Sequence, residues 1–169
     1  MFKVIENCKL SSVGVQFEVP KGFYIDIENM EGVNADEIRL VPEEKDCYIN
    51  FRGFNDVYDS VMDSLIDTFS DFIFESGSSI ELYDDENNHE YNWIVKPTEF
   101  SYNGLKGVYT QYEAINKQYY RIHFERVEGF NEWVEILLEV DKTKTTLEDV
   151  LKREAVSKFF GSLTPAREK

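Results

Sequence analysis

Polar and apolar residues alternate one by one along three stretches between Gly107 and Val140. Val108, Thr110 and Tyr112 take one side of the first, and Tyr120, Ile122 and Phe124 one side of the second. Val134, Ile136, Leu138 and Val140 take one side of the third. Successive side chains of a strand point to opposite faces, so a period of two means half-buried β-structure. Asn116-Lys117 and Glu128-Gly129-Phe130-Asn131 interrupt the pattern with connections short enough for antiparallel neighbours, which predicts a three-stranded meander.

Upstream, Val13, Val15, Phe17 and Val19 alternate with polar or small residues until Pro20-Lys21-Gly22, and Phe23, Ile25 and Ile27 resume the alternation. Proline cannot donate to a ladder, so the first strand stops at Pro20 and a hairpin is expected across the turn. A second hairpin is predicted from Ile38–Val41 and Tyr48–Arg52, joined by Pro42-Glu43-Glu44-Lys45-Asp46. Further strands are expected at Ile80–Tyr83 and at Tyr91–Val95, the latter ending by Pro97. Asn103-Gly104 is a strong turn signal.

The period changes between Asn55 and Phe74. Val57, Val61, Leu65, Phe69 and Phe72 recur at helical spacing with Met62, Ile66 and Ile73 beside them, predicting an amphipathic helix capped by Asn55 or Asp56 and ended by Ser76-Gly77-Ser78-Ser79. Asp59, Asp63, Asp67 and Asp71 fall four apart and stack carboxylates along its outer face. That ridge suits a solvated surface or a dock for a basic partner. A closing helix starts at Thr145 or Thr146, with Leu147, Val150, Leu151, Ala155, Phe159 and Phe160 as its stripe and Gly161 at its C-cap. The expected class is α+β: a single antiparallel sheet packed with two main amphipathic helices, in two layers or as an α/β/α sandwich. Residues 1–169 read as one domain with its core over about 13–163.

Lys+Arg 18 against Asp+Glu 33 gives a formal charge of -15. That excess repels nucleic-acid phosphates and anionic membrane surfaces and speeds encounter with a basic protein. Met1-Phe2-Lys3-Val4-Ile5 gives way at once to Glu6 and Asn7, which leaves no signal-peptide core, and no later run is long enough to span a bilayer. Cys8 and Cys47 stand far apart, as reduced thiols do. A cytoplasmic protein, monomeric or homodimeric, is the expectation.

Gly14-Val15-Gln16-Phe17-Glu18-Val19-Pro20-Lys21-Gly22-Phe23 resembles the G-x-x-F-x-x-P-x-G-aromatic opening of the PsbP-like superfamily, which includes PsbP, the Mog Ran-binding proteins and the DcrB-like proteins. The order of hairpin, helix, meander and closing helix is similar too, with Phe159-Phe160-Gly161-Ser162-Leu163 near its end. The resemblance implies an antiparallel sheet between helices and a role in binding macromolecules rather than in catalysis. It assigns no functional residue.

No nucleotide-binding, nucleophile-elbow or H-E-x-x-H pattern occurs, and no cofactor is implied. Asp84-Asp85-Glu86-Asn87-Asn88-His89-Glu90 lacks the glycine that a calcium loop needs at its sixth place, so no metal is expected there. His123 has no recognisable nucleophile motif near it, though it could meet a carboxylate across the sheet. The second side of the meander carries Tyr109, Gln111, Glu113, Tyr119, Arg121, His123, Trp133, Glu135 and Leu137. Tyr109, Gln111, Tyr119, Arg121, His123 and Trp133 are the candidate partner-binding residues, because Tyr, Trp and Arg pair large area with a polar tip. If a helix covers that side, they become core. The functional expectation is therefore a non-enzymatic adaptor, chaperone-like or inhibitory module. The alternatives are a hydrolase with a hidden carboxylate and His123 site, and a structural homo-oligomer subunit.

Overall fold

The computed structural model describes residues 14–26, 37–55, 58–69, 73–76, 79–84 and 89–166. Eight strands come before or within the meander: β1 (Val15–Gln16), β2 (Phe23–Ile25), β3 (Glu37–Pro42), β4 (Cys47–Phe54), β5 (Ile73–Ser76), β6 (Ser79–Asp84), β7 (His89–Tyr102) and β8 (Leu105–Glu113). They are followed by β9 (Lys117–Phe124), β10 (Trp133–Asp141) and β11 (Thr164–Pro165). Three helices intervene: α1 (Val61–Thr68), α2 (Leu147–Lys152) and α3 (Glu154–Ser162). The class is α+β, mostly antiparallel sheet with few helices.

Nine strands follow one another in the order β2-β3-β4-β10-β9-β8-β7-β6-β5, and β1 pairs with β11 in a separate two-stranded ribbon. Every pairing is antiparallel. The meander over Gly107–Val140 and the β3–β4 hairpin form as the alternation predicts. The Asn103-Gly104 turn also forms, with both residues at positive φ (50° and 83°), the geometry that favours this dipeptide.

Several expectations are corrected. The expected hairpin across Pro20 does not form: β1 pairs with β11 and β2 with β3. β7 continues past Pro97 to Tyr102, with register shifts between Trp93, Val95 and Thr98 that absorb the missing donor. The first helix spans only Val61–Thr68, because Ser60 rather than Asn55 or Asp56 caps it by accepting from the Asp63 N–H. Its end is fixed where Phe69 N–H turns back to the Ile66 and Asp67 carbonyls, and Ile73–Ser76 pairs as a strand with β6. Val57, Asp71 and Phe72 lie outside the described residues.

The closing helix starts with Thr146 as its N-cap, as expected, but it divides at Arg153, whose backbone is extended (φ −61°, ψ 134°). The Arg153 guanidinium reaches back to the Asp46 carboxylate at the β3–β4 turn, so an ion pair holds the bend. Gly161 consequently sits inside α3, and Leu163 is the cap. Among the described residues, two main helices thus become three short ones.

Both faces of the sheet are covered in part. Val134, Ile136, Leu138, Val140, Ile122 and Phe124 pack against Leu147, Val150, Val156 and Phe159 of α2 and α3. Val108, Tyr112 and Trp133 pack against Val61 and Leu65 of α1 on the other face, with Phe69 at its end. No helix among the described residues is long and apolar enough to cross a membrane.

Candidate functional site

The chemistry-bearing side chains gather beneath α1. Register decides which they are. Val108 lies opposite His123, Thr110 opposite Arg121 and Tyr112 opposite Tyr119, while Glu135 on β10 lies opposite both His123 and Arg52. Arg52, Val108, Thr110, Tyr112, Arg121, His123, Trp133 and Glu135 therefore share one face. Tyr109 and Gln111 lie opposite Ile122 and Tyr120 and belong to the other face. Tyr109 packs there against Phe100 and Tyr120, at 5.4 and 5.8 Å between ring centres. Of the six residues expected together, the structure assembles Tyr119, Arg121, His123 and Trp133 and separates Tyr109 and Gln111.

Glu135 is the hub. Its carboxylate accepts from Arg52 Nε at 2.8 Å, from Arg121 Nη1 at 2.8 Å and from His123 Nε2 at 2.6 Å. Arg121 Nε donates to the Tyr112 hydroxyl at 3.2 Å. The other imidazole nitrogen, Nδ1, is 2.9 Å from Ser64 Oγ, which lies 2.7 Å from the Val61 carbonyl oxygen one helical turn back. Ser64, His123 and Glu135 are only 1%, 1% and 3% exposed, whereas the Arg52 side chain is 40% exposed. An open aromatic docking face is therefore not what α1 leaves at this point. Trp133 is buried too, stacked near Phe54 and edge-on to Tyr58, with the Arg126 guanidinium over its ring. Tyr119 remains half-buried and stacks on Tyr112 at 4.6 Å.

Burial would raise the Glu135 carboxyl, but Arg121, His123 and Arg52 together hold it well below the ordinary range. Burial pushes the His123 imidazole down; Glu135 opposes this, and Arg121 and Arg52 reinforce it. Asp46 is held low by its hydrogen bonds from Arg153. Burial, with Asp46 alongside, pushes the Cys47 thiol up to about 12, which keeps it protonated and a poor nucleophile.

All three lowered groups give acid sensitivity of one sign. A group with a lower pKa in the fold binds its proton first in the unfolded chain, so stability falls as pH falls. His123 acts first, below its unfolded value near about 6.5, and Glu135 and Asp46 follow below about 4. Unfolding free energy measured in urea is expected to decline between pH 7.5 and 5.5, above the range where surface carboxylates titrate. A flat or rising profile over that window would contradict the placement of His123.

Ser64, His123 and Glu135 in series share the connectivity of a serine hydrolase triad, with the ring reversed so that Nδ1 rather than Nε2 faces the hydroxyl. In this arrangement they can hold and pass a proton, and α1 closes them off from a substrate carbonyl. A surface cleft of about 300 Å³ borders Val61 and takes its walls from residues such as Glu99, Lys106 and Glu125, not from the three. Among the described residues, no group of three His, Cys, Asp or Glu side chains is placed to hold a metal ion.

The acidic ridge is shorter than its spacing suggests. Asp59 precedes the cap, Asp63 sits in the first turn, and Asp67 accepts from the Tyr58 hydroxyl at 2.8 Å. All three are exposed, and Asp71 lies outside the described residues. No motif marks Ser64, yet the sequence carries a signal. It is a small polar residue at i+3 from Val61 on an otherwise apolar stripe, a place where a hydroxyl needs a buried partner.

The chain matches none of the family models against which it was compared, and no curated protein matches it.

Proposed function

We propose that this chain is a non-enzymatic, acidic protein-binding module of the PsbP-like kind, an α/β/α sandwich that acts in the cytoplasm as an adaptor, chaperone-like factor or inhibitor of a basic partner. One observation carries the reading: ion pairing among the described residues leaves the acids in large excess. Arg52, Lys117, Arg121, Lys142, Lys152, Arg153 and Lys158 each pair with a carboxylate. With a net charge of -15, the field left for a partner is negative, and Asp59, Asp63 and Asp67 face outward in it. The family likeness draws support from Gly14, whose φ is +76° and where a Cβ would sit 2.9 Å from Phe130 and Val127, so the opening glycine answers to a close approach.

Full-length protein immobilised at low ionic strength is expected to retain a basic protein and release it as salt rises. The association rate of that identified partner should fall with salt, because screening removes long-range attraction. Retention of nothing at either ionic strength would sink the proposal. A second reading, a hydrolase acting through His123 and a carboxylate, is favoured by the Ser64–His123–Glu135 series alone and needs α1 to move aside. Labelling of native Ser64 by a fluorophosphonate probe would select it; no labelling is expected.

A further inference from the structure

One hydroxyl proton has two possible destinations in the joint between α1 and the sheet. Glu135 is ionised and can only accept, so the hydrogen between it and His123 belongs to Nε2. Nδ1 is then bare when the ring is neutral and carries a proton when the ring is charged. Ser64 Oγ has a single hydrogen and two neighbours within bonding distance, His123 Nδ1 at 2.9 Å and the Val61 carbonyl at 2.7 Å. With a bare Nδ1 the hydroxyl can serve the ring or the Val61 carbonyl but not both, and it goes to the ring, because the carbonyl already accepts within the α1 ladder. With Nδ1–H, the ring donates to Oγ and the hydroxyl turns to Val61. The charged state satisfies both neighbours of Oγ, whereas the neutral state keeps the bond to the ring and leaves Oγ against the Val61 carbonyl with no hydrogen between them.

We infer that Ser64 is a rotary latch: it fastens α1 to His123 whether or not the imidazole is protonated, its hydroxyl swinging from Nδ1 to the Val61 carbonyl as the proton arrives. The charged and titratable groups around the ring are consistent with this. Arg52 comes from β4, Arg121 from β9, Glu135 from β10 and Tyr112 from β8, while α1 presents only Ser64, its Asp63 and Asp67 facing solvent. Nothing on the helix side repels a cationic ring. The remaining wall is the Phe54 ring, 5.2 Å from the imidazole. Burial and the two guanidiniums favour the neutral ring, so at neutral pH the hydroxyl points to Nδ1.

Nitrogen-15 spectra of the histidines in the full chain, followed from pH 8 to pH 4.5, test this directly. The expected resting form has Nε2 protonated and Nδ1 bare, and α1 amides should keep their exchange protection relative to β10 as His123 titrates. In Ser64→Ala both forms of the ring lose the hydroxyl and the charged form loses the stronger bond, so the transition should move down by about one pH unit, the difference between a charged and a neutral hydrogen bond. Amides of α1 should exchange at least several-fold faster in that variant, most of all on the acid side. Ser64→Thr, which keeps the hydroxyl, should restore the transition. A resting Nδ1–H tautomer, an unmoved transition in Ser64→Ala, or wild-type α1 amides freed as His123 titrates would each overturn the latch. The tautomer is read on the wild type, so the inference stays testable if a variant fails to fold.

Discussion

Glu135→Ala is expected to lower folding stability by about 3–5 kcal/mol, the cost of leaving buried charge without its counter-ion. Glu135 satisfies three donors at once, and only Arg52 has ready access to water: its side chain is 40% exposed, against 14% for Arg121 and 1% for His123. Arg121 would keep its Tyr112 bond and lose its only carboxylate among the described contacts. Burial opposes its charge, and Tyr112 and Glu135 are what hold its proton on. Glu135→Gln should cost less than alanine, since an amide oxygen still accepts from one donor. Replacing Glu135, Arg121 and His123 together by apolar residues of similar volume should cost less than Glu135→Ala, because the one charge left without its partner, on Arg52, reaches water. Equilibrium unfolding in urea reads all three. A loss below about 1 kcal/mol for the alanine variant would mean that water reaches the cluster, as exposed pairs are worth no more than that.

Phe51→Ala is expected to cost about 3–5 kcal/mol as well, through a cavity rather than a charge. Phe51 is fully buried, lies between Ile38 on β3 and Ile136 on β10, and meets the Phe17 ring at 4.6 Å. Phe17 in turn contacts Phe159 of α3 at 5.2 Å, so one aromatic file joins the sheet, the segment after β1 and the closing helix. Three hydrogen-bonded strands cannot slide together to fill the space, which places the cost at the upper part of the range. The midpoint of thermal unfolding should fall by about 10 °C in a chain of this size. A fall of only about 2 °C would show that Phe17 collapses into the gap.

The strands of the meander are legible because each has one strongly apolar side. How they share faces is not. Glu113 lies opposite Gln118, so the turn after β8 pairs even-numbered residues with odd ones, whereas Val134 lies opposite Phe124, even with even. With helices on both faces, apolar character no longer marks the inside, and a shift of one residue leaves the pattern looking equally good. Alternation alone therefore groups Tyr109 and Gln111 with His123, while the register puts Val108, Thr110 and Tyr112 beside it. The pattern overextends the first helix for a related reason: the apolar run that includes Ile73 and Phe74 fits a helix stripe and a short strand alike. The break at Arg153 depends on Asp46, more than a hundred positions away, a distance no local pattern spans. Ser64 was readable in principle, because a hydroxyl on a buried stripe implies a partner, though His123 as that partner depends on where α1 docks.

The β1–β11 ribbon governs how the molecule answers to force. Val15 lies opposite Pro165, Gln16 opposite Thr164, and the Ala166 N–H reaches the Gly14 carbonyl. Residues 14 and 166 therefore stand side by side at the same end of the ribbon. Tension drawn outward through them acts across the ladder and peels its bonds one after another instead of shearing them together. The ribbon should yield to a weak pull and release slack at each end before any load bears on β10 at the centre of the large sheet.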